Sequence, residues 1–240
     1  MTPPTIEPAQ RTAARVAGLL YLVQMATGVF GEAYVRGPLI VRGDATRTAQ
    51  NILGAERLFR LSIAGDLVTY VAVLVLIWAL YVVVRPVDKN VALLAVLFRL
   101  AENAVLCVAT VNSLVALRLL SGADDFKAFD VSQLHALARL ALAAQGLAMR
   151  VGFVLLGLGS AVFGYLLLKS RYVPRALAAW GIFASLALAI VTLVIVVFPR
   201  AGDVMGLAYM APMGLYEVGL GLWLLVKGIP AAPSGTRDGS

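Results

Sequence analysis

The chain of 240 residues contains one cysteine and one histidine. Cys107 alone can close no intrachain disulfide and can join no cysteine cluster for zinc or iron–sulfur, so it reads as a small buried hydrophobe. His135 has no second histidine for a zinc site, and it falls where a solvated helix residue is expected. H-E-x-x-H, G-x-S-x-G and P-loop patterns are all missing, so the common motifs for metalloprotease, serine-hydrolase and nucleotide chemistry are absent and no cofactor is expected. Charge is scarce too: 14% of residues are Asp, Glu, Lys or Arg, against about 25% in soluble domains. Period-two alternation of apolar and polar residues is not found, which argues against a membrane β-barrel.

What the chain has in quantity is apolar surface. Hydrophobic residues make up 61% of it and the mean hydropathy is +0.89, leaving too little polar surface to coat a globule in water. Crossing about 30 Å of hydrocarbon takes about 20 apolar residues at about 1.5 Å per residue. Six segments meet that length, near 16–35, 61–84, 91–117, 140–168, 176–198 and 204–226. The expected fold is therefore an all-α membrane bundle of six helices. Residues 1–15 and 229–240 read as disordered ends around a single domain, 16–228, because both are polar and rich in Pro, Gly or Ser. The first span has the outline of a signal peptide, but its apolar run continues through Tyr34 and Val35, which favours retention.

Two links are long. Asp44 precedes a stretch containing Ile52, Leu53, Leu58 and Phe59, which suggests an N-capped amphipathic helix at the interface. Ser121–Asp130 carries Asp124, Asp125 and Asp130, and the helical spacing of Leu134, Leu137, Leu140 and Leu142 after it suggests that the fourth helix starts outside the hydrocarbon. The formal charge of +7 is scattered over the ends of the apolar runs, which fits lipid headgroups as the partner and not nucleic acid. Arg85, Lys89, Lys169, Arg171 and Arg175 crowd two tight turns, so both termini are expected in the cytoplasm.

Five ionisable residues fall inside the spans: Asp66, Arg99, Glu102, Arg150 and Glu217. Each would cost about 2.5–3.5 kcal/mol if left alone at a helix centre, so they should face inward and pair. Depth counted along each helix puts Gln24, Arg99, Glu102 and Glu217 at roughly 12–16 Å from the cytoplasmic end, with Asn103 beside them. Asp66 and Arg150 both come out at roughly 27 Å. The expectation is an inner cluster of Gln24, Arg99, Glu102, Asn103 and Glu217, and an outer Asp66–Arg150 ion pair. Pro212 should kink the sixth span one turn before Glu217. Small residues four apart, Gly157 with Ala161, Ser160 with Gly164, and Gly181 with Ser185, should let helices approach closely.

Several stretches also match a family pattern: Arg15 with Gly18, Leu20 and Tyr21; Gly43-Asp44-Ala45-Thr46, then Thr48-Ala49 and Asn51-Ile52; Phe59-Arg60; Leu80-Tyr81 with Arg85-Pro86-Val87; Phe98-Arg99 with Glu102; Tyr172-Val173-Pro174-Arg175; and Glu217 with Trp223-Leu224-Leu225 and Lys227-Gly228. In these the chain resembles the bacterial multi-pass membrane family known as domain of unknown function 4386, over residues 11–228. The resemblance implies a six- or seven-helix protein of the bacterial inner membrane and brings no substrate, cofactor or catalytic residue. Two readings of function stay open: binding or transport of a small solute, a proton or a lipid-like molecule at the inner cluster, and a non-catalytic scaffold or sensor subunit whose charges hold helices together. An intramembrane enzyme ranks behind both, since Asp66 is the lone intramembrane aspartate and Ser160 and Ser185 have no histidine nearby.

Overall fold

The structure, a computed structural model, describes residues 7–122, 126, 128–206 and 208–229. Among these every regular element is helical, and six helices are long and apolar enough to cross a membrane: Pro8–Leu39, Glu56–Val84, Lys89–Leu120, Val131–Ser170, Arg175–Val197 and Ala208–Val226. The protein is a multi-pass membrane protein by that criterion.

The first crossing is compound. Helix α1 (Pro8–Val29) passes without a break into a π-helical segment, Phe30–Arg36, and a closing turn α2 (Gly37–Leu39). Residues 8–15, expected to be disordered, instead form its first two turns. Pro8 occupies the first turn, where its missing N–H is not needed. Gln10 fastens the start, accepting the Glu7 backbone N–H at 3.0 Å and donating to the Val83 carbonyl at 3.1 Å. The helix expected after Asp44 forms but is shorter: α3 (Ala45–Gly54) stops at Ala55, Leu58 and Phe59 belong to the next helix, and Asp44 caps α3 by accepting the Arg47 N–H at 2.8 Å. Asp44→Ala should cost about 0.5–2 kcal/mol and lower the unfolding temperature in detergent, while Asp44→Ser should keep most of it.

Helix α4 (Glu56–Val84) returns through the bundle to a turn at 85–88, and α5 (Lys89–Leu120) crosses again. In the second long link, Asp124 and Asp125 lie outside the described residues. Beyond it α6 (Val131–Ser170) begins as one continuous helix, with the Asp130 N–H donating to the Gln133 side chain at 3.0 Å. Its 40 residues span about 60 Å, twice the hydrocarbon thickness, so the extra turns stand outside the bilayer. There they meet α3 and the start of α4 in a second apolar core containing Ile52, Phe59, Ile63, Leu117, Leu120 and Leu142. The main core lies at the other end and includes Tyr21, Leu76, Leu80, Phe163, Leu166, Tyr216 and Leu224.

Helix α7 (Arg175–Val197) leads into a short α8 (Pro199–Met205) and then α9 (Ala211–Val226), which a 3₁₀ turn, Ala208–Met210, precedes. Pro212 therefore does not kink a long sixth span. It sits in the first turn of α9, where a proline leaves no hydrogen bond unmade. Its carbonyl accepts the Trp180 indole N–H at 3.2 Å, tying α9 to α7. The small residues mark close helix contacts: Gly157 lies against the Ser185 carbonyl and Ala189 on α7, and Gly181 lies flat against the Tyr216 ring.

Candidate functional site

Two levels of buried charge occupy the interior, each drawn from several helices. The outer level is built on the π-helical segment. Arg36 is 3% exposed, and its guanidinium grips Asp66 with two bonds, Nη1 to Oδ2 and Nη2 to Oδ1, both 2.8 Å. Nε of the same group donates to Glu32 Oε1 at 2.7 Å, and Nη1 also reaches Ser62 Oγ at 3.3 Å. This planar fork on a carboxylate is the geometry that makes arginine stronger than lysine in buried pairs. Room for it comes from Gly31, where a Cβ would stand 2.7 Å from Arg36 Nη2 and 3.3 Å from Asp66 Oδ1. The wider π turn sets Gly31 and Arg36 on one face, a departure from α geometry of the kind found at functional sites.

This arrangement corrects the expected Asp66–Arg150 pair. The first crossing stays helical to Leu39, past the boundary at Val35 that hydropathy suggests, so Arg36 is inside the bundle at the level of Asp66. Helix α1 packs along α4, whereas α6 packs chiefly on α5 and α7. Arg150 is half-buried on α6 and its charge acts on Tyr209. A sequence signal for the true partner exists: Glu32 and Arg36 are four apart, a helical ion-pair spacing, and depth counting extended by one turn puts them beside Asp66.

The inner level gathers Arg99, Glu102 and Glu217, which are 2%, 3% and 6% exposed. Arg99 Nη1 stands 2.9 Å from Glu102 Oε2, one turn along α5. The N–H does not aim down that line, so the contact is a close ion pair without an aligned hydrogen bond. From α9, Glu217 interacts electrostatically with both Arg99 and Glu102, and the Gln24 side chain of α1 lies beside it. Tyr21 and Tyr216, both buried, border the same charges. Asn103 turns elsewhere: its Nδ2 donates to the Tyr70 carbonyl on α4 at 3.2 Å, and its Oδ1 is buried without a hydrogen-bond partner. Two glycines of α6, seven residues apart, form the wall behind α5. A Cβ on Gly159 would meet Arg99 Cγ at 2.9 Å, and one on Gly152 would meet Leu106 Cδ2 at 2.8 Å with Glu102 Cγ at 3.9 Å.

Hydroxyl groups lie between the two levels, and the charge-based reading of the sequence passes over them. Thr27 Oγ1 and Thr69 Oγ1 join α1 to α4 at 2.6 Å, and Tyr70 Oη and Thr110 Oγ1 join α4 to α5 at 2.7 Å. Among the described residues no three His, Cys, Asp or Glu side chains are gathered as a metal site would require. A 690 Å³ groove lined by Leu53, Glu56, Arg57 and Arg60 lies at the α3–α4 elbow, away from both charge levels.

The profile of one protein family, described as a domain of unknown function (DUF4386), matches residues 16–228. No curated protein and no solved structure matches the chain.

Proposed function

Because the chain belongs to this DUF4386 family, a membership that assigns no chemistry, we propose from its buried charges that it transfers protons across the membrane, alone or with a small solute, at Arg99, Glu102 and Glu217. The observation that carries this is the charge balance. One guanidinium faces two carboxyl groups that are 3% and 6% exposed, and one arginine neutralises one carboxylate. The other acid is left to take up and give up a proton, the use to which membrane proteins commonly put intramembrane acids. The crowding of Gly152 and Gly159 against α5 favours an occupant of proton or water size over a lipid-like molecule. The Lys and Arg residues in the 85–89 and 169–175 turns support an orientation with both termini in the cytoplasm, in the inner membrane of a bacterium.

Proteoliposomes loaded with a pH-sensitive dye test the reading. Wild-type protein should dissipate an imposed pH gradient under a potassium diffusion potential, and Glu217→Gln should slow this roughly 100-fold, the range for loss of a positioned proton carrier. Wild-type liposomes that hold their gradient as tightly as empty ones, with and without candidate solutes, would overturn it.

A scaffold role is the second reading, favoured by one specific feature, the seating of Arg99 directly on Gly159. Under it Glu102→Gln and Glu217→Gln lower the unfolding temperature in detergent and no variant changes proton flux.

A further inference from the structure

We propose that Glu32, Arg36 and Asp66 form a second proton-exchange site, facing the outer end of the bundle, and that the Thr27–Thr69 hydroxyl pair connects it to the inner acids. This rests on the proton-transfer reading above and adds to it a route and an outer terminus.

The outer group repeats the inner stoichiometry, with one guanidinium for two carboxylates. Arg36 gives both terminal nitrogens to Asp66 and only Nε to Glu32. The Asp66 side chain is 9% exposed, whereas that of Glu32 is 33% exposed. Glu32 is thus the less enclosed and more weakly held of the two acids, and protonating it leaves the two-bonded Arg36–Asp66 pair intact. The site is thus a fixed buried pair with a second, singly bonded acid on the same cation, and that second acid is the one placed to exchange a proton.

The hydroxyl pair supplies what a relay needs, two equivalent hydrogen-bond directions. Thr27 Oγ1 can donate to the Val23 carbonyl at 2.9 Å, Thr69 Oγ1 can donate to the Gly65 carbonyl at 2.8 Å, and the two oxygens lie 2.6 Å apart. When Thr27 donates to Thr69, Thr69 donates to Gly65; when Thr69 donates to Thr27, Thr27 donates to Val23. For outward transfer a proton reaches Thr27 Oγ1 as the proton that oxygen held passes to Thr69 Oγ1, and the proton Thr69 held turns away from the Gly65 carbonyl and leaves to a water beside Asp66; each hydroxyl gains one O–H bond and loses one, and rotation of both hydroxyls resets the pair. Gln24 lies three residues before Thr27 on α1, and Asp66 three before Thr69 on α4. Such neighbours have Cβ atoms about 5–6 Å apart, a gap that one bridging water spans. The sequence of proton-carrying groups is then Glu217, Thr27, Thr69, Asp66 and Glu32, with bridging waters in the gaps, while Gln24 and Arg36 hold the acids in place and carry no proton.

Thr69→Val keeps the side-chain shape and removes the hydroxyl. In the dye-loaded proteoliposomes its flux should fall roughly 100-fold, with an unfolding temperature in detergent close to wild type, and Thr69→Ser should restore flux. Glu32→Gln should also block, by removing the singly bonded acid at the end of the route. If Thr69→Val and Glu32→Gln both carry wild-type flux while Glu217→Gln is blocked, the outer site and the route are overturned and the inner site stands. If wild-type protein carries no flux at all, both proposals fall together.

Discussion

Arg36→Met should unfold at a far lower temperature in detergent than the wild type, the largest stability loss expected of any single charge change. The substitution removes the partner of a bidentate buried bond and leaves Asp66 and Glu32 facing each other without a cation. Breaking a buried pair from one side costs about 3–5 kcal/mol, because the remaining charge is stranded away from water. Replacing both partners with apolar residues of similar size is far less damaging, since no uncompensated charge then remains. The informative series is therefore Arg36→Met, Asp66→Leu and the double variant, followed by thermal circular dichroism. The double variant should be more stable than Arg36→Met alone. A double variant as unstable as the sum of the singles would mean that Arg36 and Asp66 do not depend on each other.

The second large effect is expected at Gly18. On α1 it lies against α9 so closely that a Cβ would come within 2.7 Å of the Gly221 carbonyl and closer still to the Leu225 amide nitrogen. These are backbone atoms and cannot step aside by changing rotamer. Gly221 returns the contact, with its own Cβ position 3.1 Å from the Gly18 carbonyl. Small residues facing one another in this way hold membrane helices together by direct backbone contact. Gly18→Leu must push α9 off α1, at a cost of about 1–3 kcal/mol or more for overpacking. Glu217 lies one turn before Gly221, and Gln24 less than two turns beyond Gly18, so the same displacement parts Gln24 from Glu217. The variant should therefore lose stability and proton flux together, while Gly18→Ala should show a smaller loss of both. A Gly18→Leu protein with wild-type flux and melting would place the α1–α9 contact outside the working part of the molecule.

The bundle is legible in the sequence because long apolar runs have few alternatives in a bilayer. All six crossings overlap the six runs, and Asp44 caps its helix as residue type and position suggest. Boundaries carry less information, and the outer pair depends on one of them. Val35 ends the first hydrophobic run, but the helix continues to Leu39 because Arg36 finds Asp66 and Glu32 inside the bundle. Hydropathy treats each charge as a solitary cost, so it cannot register a charge that is buried because it is paired. The expected partner, Arg150, shares a depth with Asp66 but lies on a helix that packs mainly elsewhere. Lateral neighbourhood is a property of tertiary packing that depth counting does not contain. Pro212 shows the same limit: a proline is a kink or a helix start depending on where the chain turns, and the 3₁₀ turn at Ala208–Met210 makes it a start. The Thr27–Thr69 pair had no signal beyond two threonines in apolar helices, which usually bond only to their own backbone.

Everything proposed for the inner site requires Arg99 on α5 and Glu217 on α9 to act on each other. A double-mutant cycle measures that coupling without reference to transport: Arg99→Met, Glu217→Gln and the double variant, each unfolded in a denaturing-detergent titration. Coupling of about 1–3 kcal/mol is predicted, with the double variant more stable than the sum of the two losses implies. Losses that add to within about 0.5 kcal/mol would contradict the account, because they would mean that the two groups are energetically strangers.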